Sequence, residues 1–477
     1  MFKSTFLLLL LIGVFLINSK LVQVIEIFRH GTRGPLYNIY DWQEQQENMG
    51  ELLPAGMRQH YELGKQLRKE YIEELEFLSE NYDPTKFSIY STNKNRTIQS
   101  AQAQLLGLYP FSYGPELIKD IDNSYYLPPD PSAVWEQLEN QEALPNQYDP
   151  IPVHTVQKED LFLSSKCPNK QKFFEQNKHI IQEIYDQVQN LYQPLFKKCS
   201  QIFQQDFTNT NQLWDLYDNL YSTISQERKL PEELSQKDLD LLKLAADFEW
   251  NITYGTGEYN RIQSSSVFDF IIDIFQNYIK SDQSTNNIKW TMLSGHDTNL
   301  IIILSALNYM DLNCTLYQLL PDIYKEKPKI CLETPQYASS LIFELHQQYI
   351  FSQNDNNNYK YYIKMKYEGN YLPLNLIESC QNEQNIYECQ FDNFIQNIQN
   401  KSENPHLECG FIEIEQPQDL YTKTIIDMEN KSGKDLLLML LCVISIAISI
   451  FLLLTYQKKE QIKIKKQLLQ ENIDILD

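Results

Sequence analysis

The strongest constraint on this chain is a long apolar run close to its C-terminus. Leu436 to Leu454 are 19 consecutive residues without a charged side chain, which is the length that a helix needs to cross a bilayer. Five lysines follow between positions 458 and 466, and positive residues favour the cytosolic side. The pattern predicts a transmembrane helix over 436–455 and a cytosolic tail over 456–477. A buried core helix and a lipid-anchor signal are the alternatives, although the lysines argue against an anchor signal.

The first 19 residues carry a second, shorter apolar run. Lys3 precedes an apolar stretch from Phe6 to Ile17, and the small residue Ser19 follows it. This order is typical of a cleaved signal peptide over 1–19, with an uncleaved anchor or a buried strand as the alternative. The two ends together predict a single-pass type I membrane protein whose residues 20–435 are lumenal or extracellular. Five N-x-S/T glycosylation sequons lie in that segment, at Asn95, Asn251, Asn313, Asn400 and Asn430.

Composition excludes several classes of protein. A hydrophobic content of 42% is ordinary for a globular chain and too high for a disordered one. The formal net charge of −22 argues against a nucleic-acid-binding protein, which needs a basic face. Eight cysteines are too few for a small fold built on disulfides. Seven of them precede the transmembrane run, so one is left without an intramolecular partner.

Three short apolar segments of the lumenal part are each followed at once by polar residues. These predicted strands are Leu21–Phe28, Phe87–Tyr90 and Ile288–Leu293. His30, the pair Ser91–Thr92 and His296 lie just past their ends. Because ligands of open α/β sheets bind beyond the carboxyl ends of the strands, we expect these residues to meet at one site.

The middle of the chain has a different pattern. Residues 110–278 combine proline-rich loops with long segments of helical periodicity, which predicts a mainly helical inserted cap. Further on, Ser339–His346 and Tyr361–Tyr367 alternate around an asparagine-rich loop and predict a β-hairpin. The expected fold class is therefore α/β: a sandwich with a central, mostly parallel sheet flanked by helices, plus the cap.

The block Arg29-His30-Gly31-Thr32-Arg33-Gly34-Pro35 follows the first predicted strand. Arginine forks match the geometry of phosphate oxygens and stay charged at any relevant pH. A histidine held between them can attack phosphorus and carry the phosphoryl group covalently. The neighbouring positive charges should lower the pKa of His30 and keep the imidazole neutral in acid. The alternative is a basic turn that binds a carboxylate or nothing.

This block, RHGTRGP, fits the pattern RHGxRxP and resembles the signature of the histidine acid phosphatase family, part of the histidine phosphatase superfamily. STNKNRTIQSA and SGHDTNL resemble the second and third blocks of that family. PIPVHTV and ETPQYASS resemble segments of its lysosomal and prostatic branch. The resemblance covers roughly residues 21–415.

The resemblance implies a role for each of six residues. It implies that His30 is the nucleophile and that Asp297 is the general acid, although an aspartate at this position could instead cap the following helix. It implies phosphate binding by Arg29, Arg33, Arg96 and His296. No metal and no cofactor are expected, because the arginines themselves stabilise the negative charge of the transferring group.

Two disulfides are also implied by the resemblance, Cys167–Cys409 and Cys380–Cys389. The third bridge of the family ends at a position where this chain has Ser340. The pairing of the three remaining lumenal cysteines is left open, namely Cys199, Cys314 and Cys331.

The sequence favours an acid phosphatase that hydrolyses phosphate monoesters through a phosphohistidine. One alternative is a phytase or inositol-polyphosphate phosphatase of the same family. A mutase is disfavoured by the signal peptide and the membrane anchor. An alternative of another class is a non-catalytic, membrane-anchored binding protein on this scaffold.

The expected partners are small phosphomonoesters and one membrane, without nucleic acid. The oligomeric state is left open, with a homodimer as one alternative. A lysosome-like acidic compartment or the cell surface is the expected location. The tail residues Glu471 to Leu476 loosely resemble an acidic dileucine sorting signal.

Overall fold

The computed structural model describes most of the predicted lumenal segment. The described residues are 19–36, 49–118, 142–156, 174–226, 228–255, 257–281, 288–350, 359–381 and 383–399. All of them belong to the first of two compact units, Met1–Phe411. The predicted signal peptide (apart from Ser19), transmembrane helix, tail and Cys167–Cys409 bridge lie outside the described residues.

The centre of the fold is a sheet that has eight strands within the described residues. In chain order they are β1 (Lys20–Arg29), β2 (Phe87–Thr92), β3 (His154–Val156), β4 (Trp290–Gly295), β5 (Ser340–Tyr349), β6 (Tyr359–Tyr367), β7 (Asn370–Tyr371) and β8 (Cys389–Gln390). Their order across the sheet is β3-β2-β4-β1-β5-β6-β7, and β8 pairs with β6.

One half of the sheet is parallel. β1 pairs with β4, β4 with β2, and β2 with β3, all in parallel. The carboxyl ends of these strands therefore lie along one edge. β4 is buried along its whole length, as expected for a parallel strand covered by helices on both faces.

The other half of the sheet is antiparallel, which corrects the prediction of a mostly parallel sheet. β5 runs antiparallel to both β1 and β6, and β6 also pairs in this way with β7 and β8. The predicted β-hairpin is confirmed as β5 and β6. A hairpin connection is too short for a parallel crossover, so its strands continue the sheet in antiparallel order.

The helices lie on both faces of the sheet and beside its strand ends. In chain order they are α1 (Pro54–Arg68), α2 (Asn95–Leu108), α3 (Lys178–Phe203), α4 (Thr210–Ile224), α5 (Gln236–Tyr254), α6 (Gly257–Lys280), α7 (Asp297–Ala306), α8 (Leu312–Leu319) and α9 (Phe391–Gln399). A π-helical turn, Lys69–Glu74, continues α1.

Alternation along β1 divides the core into two layers. Ile25 and Ile27 face the layer that contains buried residues of α6, α7 and α9. Val24 and Phe28 face the layer of α1 and α2. α1 and α2 approach closely, since a Cβ at Gly64 would lie 2.0 Å from the carbonyl oxygen of Gln104. The prediction of an α/β sandwich with flanking helices is confirmed in this form.

The stretch predicted as a helical insertion contains elements of two kinds. α3, α4 and α5 pack with α8 around a separate apolar core. β3, however, joins the sheet beside β2, and α6 packs against the sheet core. Among the described residues of this stretch, it is therefore α3 to α5 that form the separate helical layer.

The disulfides resolve part of the pairing that the sequence left open. Cys380–Cys389 is present as predicted. Cys314 pairs with Cys331, and Cys199 is buried in the helical core without a disulfide. The side chain of Asn251 is also buried, which is incompatible with glycosylation of that sequon in the folded protein. No helix within the described residues has the length and apolar character of a membrane span.

Candidate active site

The six predicted site residues lie at the ends of three neighbouring parallel strands. Arg29 is the last residue of β1 and His30 follows it. His296 follows β4, and Asp297 is the first residue of α7. Arg96 is the second residue of α2, which begins just after β2. Arg33 completes the set from the loop after His30, so the sheet edge brings together all six residues.

Backbone contacts fix the loop that carries His30 and Arg33. A Cβ at Gly31 would lie 2.4 Å from the carbonyl oxygen of Gly56, so the loop can pack this closely against the start of α1 only with glycine there. The amide of Thr32 donates to Gln59 Oε1 at 2.9 Å. The hydroxyl of Ser222 in α4 donates to the carbonyl oxygen of Arg33 at 2.7 Å. The loop is thus held from both α1 and α4.

His30 is buried, with 2% of its surface exposed, and its ring is oriented by its own loop. Its Nδ1 lies 2.9 Å from the carbonyl oxygen of Gly31. Because a carbonyl only accepts, this contact places the proton on Nδ1 and leaves the lone pair on Nε2. Burial lowers the pKa of His30 well below its usual value, and the nearby arginines and His296 lower it further. The imidazole is therefore neutral even in acid.

Each of the three arginines is anchored by part of its guanidinium group. Arg29 donates from Nη1 to the carbonyl oxygen of Pro335 at 2.6 Å. Arg96 donates from Nη1 to the carbonyl oxygen of Gly50 at 3.2 Å. Arg33 forms a two-pronged ion pair with Asp218 of α4, at 2.9 and 3.2 Å.

The Nε atoms of the same three arginines are buried and have no hydrogen-bond partner within the described residues. Burial and the charge of Arg33 together lower the pKa of Arg96 to about 10, so these two cations are close together. Unpaired buried donors are costly. An anion with several acceptor oxygens would satisfy them.

Asp297 and His296 are held by neighbouring groups. Asp297 Oδ2 lies 2.9 Å from Nη2 of Arg29. Burial alone would raise the pKa of Asp297, but Arg29, His296 and Arg33 outweigh it, and the net shift is downward. His296 Nε2 lies 3.1 Å from the hydroxyl of Thr92. The residue that caps α7 is His296, so the alternative in which Asp297 caps this helix is wrong.

Sequence reasoning missed an aromatic support beneath the arginines. The Arg29 guanidinium lies 4.4 Å from the ring centre of Tyr337. Tyr221 of α4 stacks on Tyr337 at 5.0 Å, and Tyr217 stacks on Tyr221 at 5.8 Å. Burial raises the pKa of Tyr337 to about 12, so the ring stays neutral. The helical spacing of Tyr217 and Tyr221 was visible in the sequence, but nothing in it linked them to Arg29.

Asp218 was also missed, although it lies between those two tyrosines in the sequence. Its side chain is 20% exposed, so it borders both the pocket and the solvent. Among the described residues, no group of three or more histidine, cysteine or acidic side chains is arranged to hold a metal ion.

Comparison with known proteins identifies the family of the chain. The family model of the histidine phosphatase superfamily, branch 2, matches residues 20–368. The chain belongs to this superfamily. Similar curated proteins are lysosomal acid phosphatases of Xenopus laevis and Homo sapiens, both 26% identical over 68% of this chain. The matches span 65% and 66% of those two proteins. Prostatic acid phosphatase of Bos taurus is 27% identical over 59% of this chain and 67% of its own length.

Solved structures share the fold of this superfamily member. A phytase from Citrobacter braakii superimposes with a TM-score of 0.52 at 15% identity, covering 82% of this chain and 99% of the phytase. Hafnia alvei phytase in complex with myo-inositol hexakis sulphate has a TM-score of 0.55 at 13% identity, covering 81% and 98%. At this identity the likeness concerns the fold.

Proposed function

We propose that this superfamily member is an acid phosphatase that hydrolyses phosphate monoesters through a phosphohistidine at His30. The observation that carries the proposal is the environment of that ring. A neutral, buried imidazole with its lone pair on Nε2 lies among three arginines whose buried Nε–H groups have no partner within the described residues. A nucleophile surrounded by unsatisfied donors suits transfer of a phosphoryl group, whose oxygens share the negative charge.

In the first step, Nε2 of His30 attacks phosphorus and the bond from phosphorus to the ester oxygen breaks. Asp297 gives a proton to the departing alcohol. In the second step, water attacks the phosphohistidine, Asp297 takes a proton from that water, and the N–P bond breaks. Phosphate leaves and the neutral imidazole is restored.

Arg29, Arg33 and Arg96 bind the equatorial oxygens of the phosphoryl group in this scheme, and His296 is a further donor. Fixed positive charges in a site with little water stabilise the spread of negative charge in the transition state. The carbonyls of Pro335 and Gly50 and the carboxylate of Asp218 hold the guanidinium groups in place beforehand. The site therefore needs little reorganisation when substrate arrives.

The lowered pKa of Asp297 determines how it acquires its proton. Beside Arg29 the carboxyl is ionised in the empty site at moderately acid pH. A phosphate monoester has a second pKa near 6, so in acid it arrives as a monoanion that carries one proton. That proton can pass to Asp297 as the arginines bind the oxygens it leaves. Acid pH therefore favours the reaction because it keeps this proton on the substrate.

Monoesters are the preferred substrates over inositol polyphosphates. A hexaphosphate needs positive groups at the mouth of the pocket, where Asp218 instead places a partly exposed carboxylate. The similar curated proteins are named acid phosphatases. We place the enzyme in a lysosome-like acidic compartment or at the cell surface, as a type I membrane protein with the signal peptide at 1–19 and the transmembrane helix at 436–455.

The direct test is hydrolysis of an aryl phosphate by the full chain between pH 3 and pH 8, with a chelator present, beside His30→Ala. Activity with an acid optimum that is lost in the variant supports the proposal. No activity in a folded protein favours the binding-protein alternative. Activity that survives His30→Ala contradicts the assignment of the nucleophile.

A further inference from the structure

A buried polar chain connects the middle of β1 with the peptide that carries His30. Gln104 of α2 donates from Nε2 to Glu26 Oε1 at 2.7 Å. Its Oε1 lies 3.0 Å from Nδ1 of His60 in α1, and Nε2 of His60 lies 3.1 Å from the carbonyl oxygen of Arg29. All three side chains are 0% exposed. We call Glu26, Gln104 and His60 the relay.

The hydrogen bonds of the relay require one extra proton. If Glu26 were ionised and His60 neutral, the relay would lack one donor hydrogen. With Gln104 donating to Glu26, both nitrogens of His60 face acceptors, so the ring must carry two protons. With the amide turned round, Gln104 donates to His60, and Glu26 must be protonated to donate to Gln104. Both arrangements have no net charge, as burial requires.

Loss of that proton costs His60 one of its two contacts. An ionised Glu26 keeps the amide N–H of Gln104 directed at itself, so both nitrogens of a neutral His60 face acceptor oxygens. The single proton of the ring then satisfies either the Gln104 amide oxygen or the Arg29 carbonyl oxygen, and the other nitrogen faces an oxygen lone pair. The hydrogen bond to the Arg29 carbonyl is therefore lost whenever the proton lies on Nδ1.

The Arg29 carbonyl belongs to the peptide that leads into the proposed nucleophile. The other end of this peptide, the amide of His30, donates to the carbonyl oxygen of Gly295 at 3.0 Å. His60 and Gly295 therefore fix the peptide from both sides. We propose that the relay holds one proton as a unit and that, while it holds that proton, His60 is fixed at both nitrogens and positions His30 through its hydrogen bond to the Arg29 carbonyl.

The surroundings of the relay are neutral on every side. Glu26 is faced by Gln104 from α2, by the hydroxyl of Ser340 from β5 at 3.0 Å, and by the indole of Trp290 from β4. His60 is faced by Gln104 and by the ring of Phe28, besides the Arg29 carbonyl. The second carboxyl oxygen of Glu26 has no hydrogen-bond partner within the described residues. A charge on Glu26 therefore lacks compensation.

The pKa values agree with this geometry. Burial raises the pKa of Glu26 to about 7, against hydrogen bonds that lower it, and lowers the pKa of His60 to about 4. Both shifts favour the arrangement with a protonated Glu26. Because the pKa of Glu26 is higher in the folded than in the unfolded chain, its contribution to stability is complete below about 4.5 and is lost as the pH rises through about 7. The lowered pKa of His60 acts in the opposite sense, since its contribution to stability is complete above about 6.5 and is lost as the pH falls through about 4.

The test is Glu26→Gln in the full chain, because glutamine is close in shape to a protonated glutamate and keeps a donor at every pH. We expect the Tm of the wild type to fall, relative to that of the variant, between pH 5 and pH 8. Over the same interval, the ratio of kcat/KM for the variant to that for the wild type should rise by up to about tenfold, since about nine in ten relays have lost the proton at pH 8. If the Tm of the wild type and that of Glu26→Gln changed equally with pH, the proposal that the relay holds a proton would be overturned.

Glu344→Gln is a matched control, since Glu344 is another buried carboxyl of the same sheet. Burial alone would raise its pKa, but His346, Lys366 and Tyr71 outweigh it and hold the value at about 2. That variant should therefore lose stability at pH 8 as well as at pH 5. Nitrogen NMR of labelled histidine gives a readout that a merely structural role would not move. His60 of the wild type should carry a proton on Nε2 at pH 5 and show a population with the proton on Nδ1 alone at pH 8, whereas Glu26→Gln keeps the Nε2 proton at both pH values.

Part of this inference rests on the proposed function, and the readouts separate the two. The Tm and NMR measurements need no activity, so they test the relay even if the protein is not a phosphatase. A Tm slope that changes while the ratio of kcat/KM stays flat would overturn the positioning of His30. An inactive wild type would count against the proposed function alone.

Discussion

Nη2 of Arg29 lies 2.9 Å from Oδ2 of Asp297, and both side chains are mostly buried. This ion pair joins the end of β1 to the start of α7 across the parallel pairing of β1 with β4. It holds the proposed general acid beside the phosphate site but also keeps that acid ionised. A phosphoryl group that binds Arg29 weakens the pair, which allows Asp297 to be protonated at the moment of reaction.

Asp297→Asn should lower kcat/KM by about 10²–10⁴-fold for alkyl phosphates, because the leaving alkoxide then receives no proton. For a nitrophenyl phosphate the loss should be much smaller, because that leaving group departs without one. The measurement is kcat/KM for both substrates at pH 5, since kcat also contains the hydrolysis step that is common to both, with phosphate affinity as the control for an intact pocket. An equal loss for the two substrates would contradict the role of Asp297.

The pH dependence should follow the substrate. We expect kcat/KM to fall as the pH rises above about 6, where the ester loses its second proton. An ester whose second pKa is lower should show the same decline at correspondingly lower pH. Profiles for an alkyl phosphate and an aryl phosphate with electron-withdrawing groups test this. Identical declines for both would show that a group on the enzyme sets the limit.

Asp218→Asn should increase the affinity for inorganic phosphate by about tenfold. The variant keeps an acceptor for Arg33 but removes a negative charge beside the anion site, which is worth on the order of 1–2 kcal/mol at an effective dielectric constant of about 20. The measurement is inhibition by phosphate at pH 5. The variant should also gain more affinity for substrates with a second phosphate group than for monoesters.

Asp215→Asn is the matched control for that variant. Asp215 lies on the same helix, and its pKa is raised by burial and by the charge of Asp218, so the two carboxyls are neighbours. Asp215 makes no ion pair with Arg33, and its removal should change phosphate affinity by less than Asp218→Asn does. Weaker phosphate binding in Asp218→Asn would mean that the orientation of Arg33 by Asp218 matters more than the repulsion between Asp218 and phosphate.

Removal of the Cys314–Cys331 disulfide should affect both stability and activity. The bond closes a sequence separation of 17 residues, for which loop entropy predicts about 3 kcal/mol. Cys331 also begins the segment that carries Pro335 and Tyr337, the two residues that support Arg29. Cys314→Ser with Cys331→Ser should therefore lower both the free energy of unfolding and kcat.

The Cys380–Cys389 disulfide provides the comparison, since it spans 9 residues and lies away from the arginines. Its removal by the same serine substitutions should lower stability without a comparable change in kcat. A similar loss of kcat in both double variants would contradict a specific role for the segment after Cys331. The free energy of unfolding is measured with denaturant, and kcat at a temperature where both variants are folded.

Local patterns predicted the parts of the site that lie on the strand ends. A short apolar run that ends at polar residues predicts each of β1, β2 and β4. Parallel pairing of these strands then brings His30, Arg96 and His296 to one edge of the sheet. The β5–β6 hairpin was predictable for the same reason, from alternation around a loop. The position of this hairpin beside β1 was not predictable, because register between distant strands depends on packing.

The contacts from the helical layer could not be predicted from sequence patterns. Asp218 reads as a solvated residue on an amphipathic helix, and its pairing with Arg33 spans 185 positions. His60 of α1 is a second case, since its contact with the Arg29 carbonyl requires the helix packing that Gly64 allows. Tertiary proximity of this kind leaves no periodicity in the chain.

The most direct test of the phosphohistidine mechanism is to trap the covalent intermediate. The full chain is mixed with a phosphate-labelled aryl ester, quenched in alkali within milliseconds, digested, and mapped by mass spectrometry. A nucleophilic His30 predicts one labelled peptide with phosphate on that residue, formed and lost at rates that match turnover and absent from His30→Ala. Turnover without label on His30, or label on another residue, would contradict it.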